Sequence, residues 1–213
     1  MSDPGFAALA PLLLLGGWGS ALLVVDAFLP RRHKRITVLL TALGLGAALV
    51  LVLAEPANGP CSAAASGANC FGGMVRVDGF ARFLQSLVLG TALVVLALAH
   101  DYLKRTGLER GEFYVLLVFA VMGMMLMAVA ADLMVVFLAL ELLSIPLYVL
   151  AGLARPRLES EESAMKYFLL GAFASGFVVY GVALIFGATG TTQLDAVAEA
   201  ARAGLAWTGL LYA

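Results

Sequence analysis

Residues 133–153 read LMVVFLALELLSIPLYVLAGL, and this stretch decides the fold class. One charge, Glu141, interrupts an otherwise apolar run. Crossing the hydrocarbon core of a bilayer takes about 20 predominantly apolar residues in a helix. A helix satisfies its own backbone groups in lipid, where no water is available to do so, and is therefore the default conformation for such a run. Working outward, comparable runs lie at 6–29, 36–54, 80–99, 113–130 and 164–187, and a seventh begins near Leu205 and reaches Ala213. Alternating segments of about ten residues do not recur, which argues against a β-barrel. The expected fold class is all-α: a polytopic transmembrane helix bundle with six complete spans and the start of a seventh, in one membrane domain over residues 1–213.

Composition agrees. Of the 213 residues, 62% are hydrophobic and 13% charged, and the mean hydropathy is +1.00. A soluble domain is about 45–50% apolar and about 25% charged, so the excess here must face lipid. The first run is too long for a signal-peptide core and lacks a basic flank in residues 1–5, so it reads as a retained span. A net charge of −1, with no basic run interleaved with aromatics, predicts no nucleic-acid partner. No zinc-like Cys/His spacing, four-cysteine cluster motif or dinucleotide fingerprint occurs, so no cofactor or metal is expected on this chain.

Short-loop basic residues set orientation. Arg31, Arg32, Lys34, Arg35, Lys104, Arg105, Arg110, Arg155 and Arg157 all fall on one side of an alternating six-span path, while Arg76, Arg82 and Arg202 fall toward the other. The basic side is expected to be cytoplasmic, with the N-terminus outside. The long outer loop, 55–78, carries Cys61 and Cys70. In an oxidising compartment these two can pair and staple the loop; two unpaired thiols fit the sequence equally well. In the segment 188–204, Leu194, Val197, Ala198 and Ala201 recur at helical spacing, which suggests a short amphipathic helix on the outer surface or an ordered connector.

A charge within a span costs about 2.5–3.5 kcal/mol on insertion scales, so each one needs a reason. Glu141 is the deepest. Low dielectric favours a neutral carboxylic acid and a nearby cation favours a carboxylate, so a residue there is suited to gaining and losing a proton. Pro146 frees the carbonyl of Leu142, and with Ser144 it predicts a kink with polar backbone beside Glu141. Lys166 lies near the basic end of the sixth run; it can snorkel to the interface or pair with Glu162 one turn earlier. Lys166 and Glu141 differ in depth by roughly 13 Å at the helical rise, too far for direct contact. Asp26 is expected to pair with Arg31 or Arg32, and Asp132 to sit at a helix N-terminus, where the dipole favours it. The small residues Gly171, Ala172, Ala174, Ser175 and Gly176 suit close helix packing, and MGMMLM, 122–127, suits adaptable packing.

Taken together, DLMVVFLALELLSIPLYVLAGL (132–153), SAMKYFLLGAFASGF (163–177) and GATGTT (187–192) resemble subunit N of bacterial proton-pumping NADH-quinone oxidoreductase, respiratory complex I. The likeness is strong over residues 112–192 and looser over the first three spans. It implies an antiporter-like architecture of about fourteen spans with two inverted repeats and broken helices, a known transporter design. On this resemblance, residues 1–111 form the first three spans with their loops, and residues 112–213 begin the helical repeat. Glu141 corresponds to the family's fifth-helix glutamate and Lys166 to its sixth-helix lysine. The family's later lysines would fall after Ala213, so the sequence reads as an N-terminal part that would not pump alone. The resemblance further implies an inner-membrane location, other complex I membrane subunits and the lipid bilayer as partners, and NADH, flavin, iron-sulfur clusters and quinone elsewhere in the complex. In the mechanism it implies, the strength of a Glu141–lysine pair governs whether the lysine keeps its proton. Two alternatives stand beside it: a subunit of a multisubunit sodium/proton antiporter, and a non-pumping structural or assembly subunit.

Overall fold

The computed structural model describes residue 6 and residues 9–29, 34–54, 70–108, 110–154 and 157–203. These form α1 (Ala10–Phe28), α2 (Lys34–Ala54), a 3-10 turn (Cys70–Gly73), α3 (Gly79–Thr106), α4 (Gly111–Val129), α5 (Leu133–Ala151), α6 (Leu158–Thr189) and α7 (Leu194–Arg202). Six of them, α1 to α6, are long and apolar enough to cross a membrane. No strand forms among the described residues beyond two isolated bridges. The chain is an all-α, multi-pass membrane protein.

α4 is apolar all the way round, which is the pattern of a helix with neighbours on every side. It packs against α1, α2, α3 and α5. Tyr114, Val118, Val121 and Met125 on α4 are fully buried against Leu15 of α1, Leu45 of α2 and Leu89 of α3. Several polar groups inside this bundle find partners. Trp18 Nε1 donates to the Leu40 carbonyl at 2.9 Å, Thr41 Oγ1 donates to the Thr37 carbonyl at 2.8 Å, and His100 Nδ1 lies 3.3 Å from the Tyr114 hydroxyl. α5 lies along α4, and α6 packs against α5. No residue of α6 is buried.

Two helices outrun their apolar stretches. α3 continues to Thr106, beyond the expected 99, and α6 starts at Leu158, before the expected 164. The extra turns are charged: Lys104 and Arg105 sit at the C-terminus of α3, and Glu159 and Glu161 in the first turn of α6. Each set carries the sign that the helix dipole favours. Hydropathy registers only the lipid-facing part, and these turns extend past it.

At the end opposite the basic loops, three connecting segments are knitted together. Arg76 N donates to the Val129 carbonyl and Ala131 N to the Met74 carbonyl, both at 2.9 Å; Leu133 N donates to the Thr192 carbonyl at 2.9 Å and Leu194 N to the Ala131 carbonyl at 3.0 Å. Gln193 Nε2 donates to the Gly72 carbonyl at 2.7 Å, and Arg76 pairs with Asp195 at 2.9 Å. The short helix expected within 188–204 is α7, and this clasp holds its start against the α4–α5 turn. Cys70 is buried and disulfide-bonded; Cys61 lies outside the described residues, as does the apolar stretch from Leu205.

Candidate functional site

Glu141 stands at the middle of α5, and Ser175 stands near the middle of α6. The Ser175 hydroxyl donates a hydrogen bond to Oε1 of Glu141, joining the two helices at mid-depth. The carboxyl is half-buried between them. A carboxylate only accepts hydrogen bonds, a protonated carboxyl also donates one, and a hydroxyl does both. Ser175 can therefore bond Glu141 in either charge state.

The backbone beside Glu141 is packed tightly. α5 runs as one helix from Leu133 to Ala151 with Pro146 buried inside it, so the expected kink does not interrupt the helix. Pro146 lacks the N–H that would have bonded the Leu142 carbonyl. α4 comes close to the Leu142–Leu143 peptide: a Cβ added to Gly123 would lie 2.5 Å from Leu143 N and 2.9 Å from the Leu142 carbonyl carbon. A glycine in α4 thus brings backbone against backbone one residue from Glu141. Ser144, three residues beyond Glu141, is half-buried.

Lys166 does not meet Glu141. Its Nζ donates to Glu162 Oε1 at 2.5 Å, and the two side chains are 70% and 59% exposed. Lys166 lies nine positions before Ser175 on α6, roughly 13 Å along the axis at the helical rise. Tyr148 occupies the intervening level. It lies two turns beyond Glu141 on the same face of α5, with its ring edge-on to Tyr167 at 4.8 Å and to Phe168 at 5.8 Å. Its hydroxyl rests against Gly171, at a point where any Cβ would collide with it. The small residues of α6 thus make room for a tyrosine and supply a hydroxyl to the carboxyl.

The other carboxylates have local duties. Asp26 Oδ1 accepts from Thr37 Oγ1 at 2.9 Å, and the carboxyl packs on Gly111; Arg31 and Arg32 lie outside the described residues. Asp132 caps α5 as expected, accepting from Met134 N at 2.8 Å. It does more than that: it is 1% exposed, and its second oxygen accepts from Thr192 Oγ1 at 2.6 Å. Sequence reasoning missed Ser175 and Thr192 as partners of these acids. The usable signal for Ser175 was a hydroxyl at the depth of Glu141 on the next span. Among the described residues no group of three or more His, Cys, Asp or Glu is placed to hold a metal ion.

Comparison with known proteins sets this geometry in a family context. The transmembrane model described as NADH:quinone oxidoreductase/Mrp antiporter matches residues 130–213. NADH-quinone oxidoreductase subunit N 2 of Roseiflexus castenholzii is 48% identical over 188 residues, which are 88% of this chain and 36% of that protein. NADH-quinone oxidoreductase subunit N of Chloroflexus aggregans is 48% identical over 199 residues, 92% of this chain and 39% of that protein. The chain therefore spans less than half the length of these curated relatives. Among solved structures, a chain of respiratory complex I from Thermus thermophilus with bound aureothin matches with a TM-score of 0.65 and 34% identity, covering 94% of this chain and 42% of that one. A chain of the membrane-bound sulfane sulfur reductase, an archaeal respiratory membrane complex, shares the fold with a TM-score of 0.71 at 24% identity, over 92% of this chain and 40% of that one.

Proposed function

We propose that this chain belongs to the NADH-quinone oxidoreductase subunit N family and that, as part of a full-length subunit, it helps move protons across the membrane while electrons pass from NADH to quinone. The observation that carries this reading is Glu141. A carboxyl at the middle of a membrane span is costly, and here it faces the next helix, where a hydroxyl bonds it in either charge state. Glu141 is the proton-exchanging acid, and Lys166 is a second proton-handling group toward the basic end. The two communicate through intervening groups, because roughly 13 Å of helix lies between their levels. Ser144 and Pro146 shape the α5 backbone beside the acid.

Residues 112–213 begin the antiporter-like helical repeat, and residues 1–111 supply the first three spans. The partners are the other membrane subunits of the oxidoreductase and the bilayer. The basic loops face the cytoplasm of a bacterial inner membrane, which puts α7 and the clasp outside. NADH, flavin, iron-sulfur clusters and quinone belong to other subunits. The two cysteines of this sequence cannot supply the four thiolates such a cluster needs. The identities of 48% to N subunits favour this reading over a sodium/proton antiporter subunit or a non-pumping assembly subunit.

The test is Glu141→Gln in the intact complex, which preserves shape and hydrogen bonding but cannot ionise. Proton translocation per NADH oxidised should fall, with the complex assembled at its normal level. An unchanged ratio would remove Glu141 from the proton path.

A further inference from the structure

We infer that Ser175 is a positioning residue for Glu141, holding its carboxyl at the α5–α6 interface in both protonation states; this rests on the reading of Glu141 given above. The geometry favours Ser175 on three counts. Its hydroxyl donates to Glu141 Oε1. It is near the midpoint of a helix that otherwise offers apolar or small side chains at that depth, Phe173, Ala174, Gly176 and Phe177 among them. Lys166 is engaged by Glu162, several turns away, and leaves the acid to another partner.

A proton-exchanging carboxyl presents two different hydrogen-bonding faces during its cycle. A lysine ammonium has donors only and suits the carboxylate; a hydroxyl donates to the carboxylate and accepts from the acid. With Oε1 held by Ser175, Oε2 is left as the oxygen that exchanges the proton. Without the hydroxyl the side chain is free to rotate about its own torsions, and the reacting oxygen is misplaced for much of the time. Proton transfer depends steeply on such placement.

The experiment compares four variants of the full-length subunit in the assembled complex: Ser175→Ala, Ser175→Thr, Glu141→Gln and the double variant Ser175→Ala/Glu141→Gln. Protons moved per NADH and coupled turnover are measured in sealed vesicles, with assembly checked on native gels. Ser175→Ala should lower coupled turnover about tenfold, the size that accompanies loss of one charge-assisted hydrogen bond. Ser175→Thr, which keeps the hydroxyl, should recover most of that loss. The double variant should match Glu141→Gln alone, because a residue acting only through Glu141 has nothing left to position. If Ser175→Ala fails to assemble, Ser175→Cys, close in size and a weak donor, takes its place. A loss with Glu141→Gln but none with Ser175→Ala overturns the positioning role and leaves the function standing. Losses that add in the double variant, or that Ser175→Thr does not repair, assign Ser175 to packing and also overturn it. A silent Glu141→Gln overturns the functional reading, and the positioning role with it.

Discussion

Gly123→Ala is the sharpest test of how the bundle positions Glu141. The methyl group would meet Leu143 N at 2.5 Å and both the Leu142 carbonyl carbon and Leu143 Cα at 2.9 Å. Ordinary contact begins near 3.4 Å, so α4 and α5 must separate locally by about 0.9 Å. Both sides are backbone, and no flexible side chain can swing away. Overpacking of this kind costs about 1–3 kcal/mol. Alanine recovers about 0.8–1 kcal/mol through its better helix propensity. A net destabilisation of up to about 2 kcal/mol remains, a factor of up to about 30 in the folded-to-unfolded ratio. The displaced peptide adjoins Glu141, and misplacement of a reacting group by about 1 Å can cost around a hundredfold in rate, so proton translocation should fall further than stability does. The assay is the thermal inactivation rate of proton translocation in native membranes, with Gly46→Ala and Gly90→Ala as controls. Nothing lies within 4 Å of a Cβ at either control position, so those variants should match or exceed the parent. A Gly123→Ala protein as stable and as active as the two controls would refute the close approach and the account of how α5 is held.

Three further outcomes follow from the clasp and the outer loop. Asp132→Ala removes both the α5 cap at 2.8 Å and the acceptor for Thr192 at 2.6 Å. It should destabilise by about 1–2 kcal/mol, from about 1 kcal/mol for a cap and up to about 1 kcal/mol for the half-buried Thr192 hydroxyl left without its acceptor. Arg76→Ala, which breaks an exposed pair, should cost under about 1 kcal/mol; equal effects in thermal inactivation would contradict the difference in burial. Cys70 is disulfide-bonded, and Cys61 is the other cysteine of the sequence, so a Cys61–Cys70 bridge is predicted. Alkylation before reduction should label neither residue, and labelling of either one would exclude the bridge.

The membrane class was legible because lipid imposes a length and a composition that neighbouring residues alone must meet. Six apolar runs of sufficient length became α1 to α6, and the single acid in the fifth run became the centre of the candidate site. Helix ends were less legible where charged turns extend beyond the lipid-facing stretch, as at Lys104–Thr106 and Leu158–Ser163, because hydropathy does not report them. The local pair Glu162–Lys166 was readable, since one helical turn sets it.

Partners across helices were not readable. Which hydroxyl reaches Glu141 depends on how α6 rotates about its axis, and the periodicity of α6 carries no bias, because apolar residues surround it on all sides. Gly123 looked like one more small residue in a methionine-rich run until α5 was laid against it. The knitting of 74–76, 129–133 and 192–194 joins segments more than fifty residues apart, and Asp132, expected only to cap its own helix, is tied to Thr192 by that arrangement. The sequence by itself determined the six spans found among the described residues, their order and their charge asymmetry, all of which follow from local composition. Only the tertiary structure decided that Ser175 bonds Glu141, that Gly123 sets the α4–α5 approach and that Asp132 joins α5 to α7. Those contacts depend on how each helix turns about its axis, which packing chooses and local sequence does not encode.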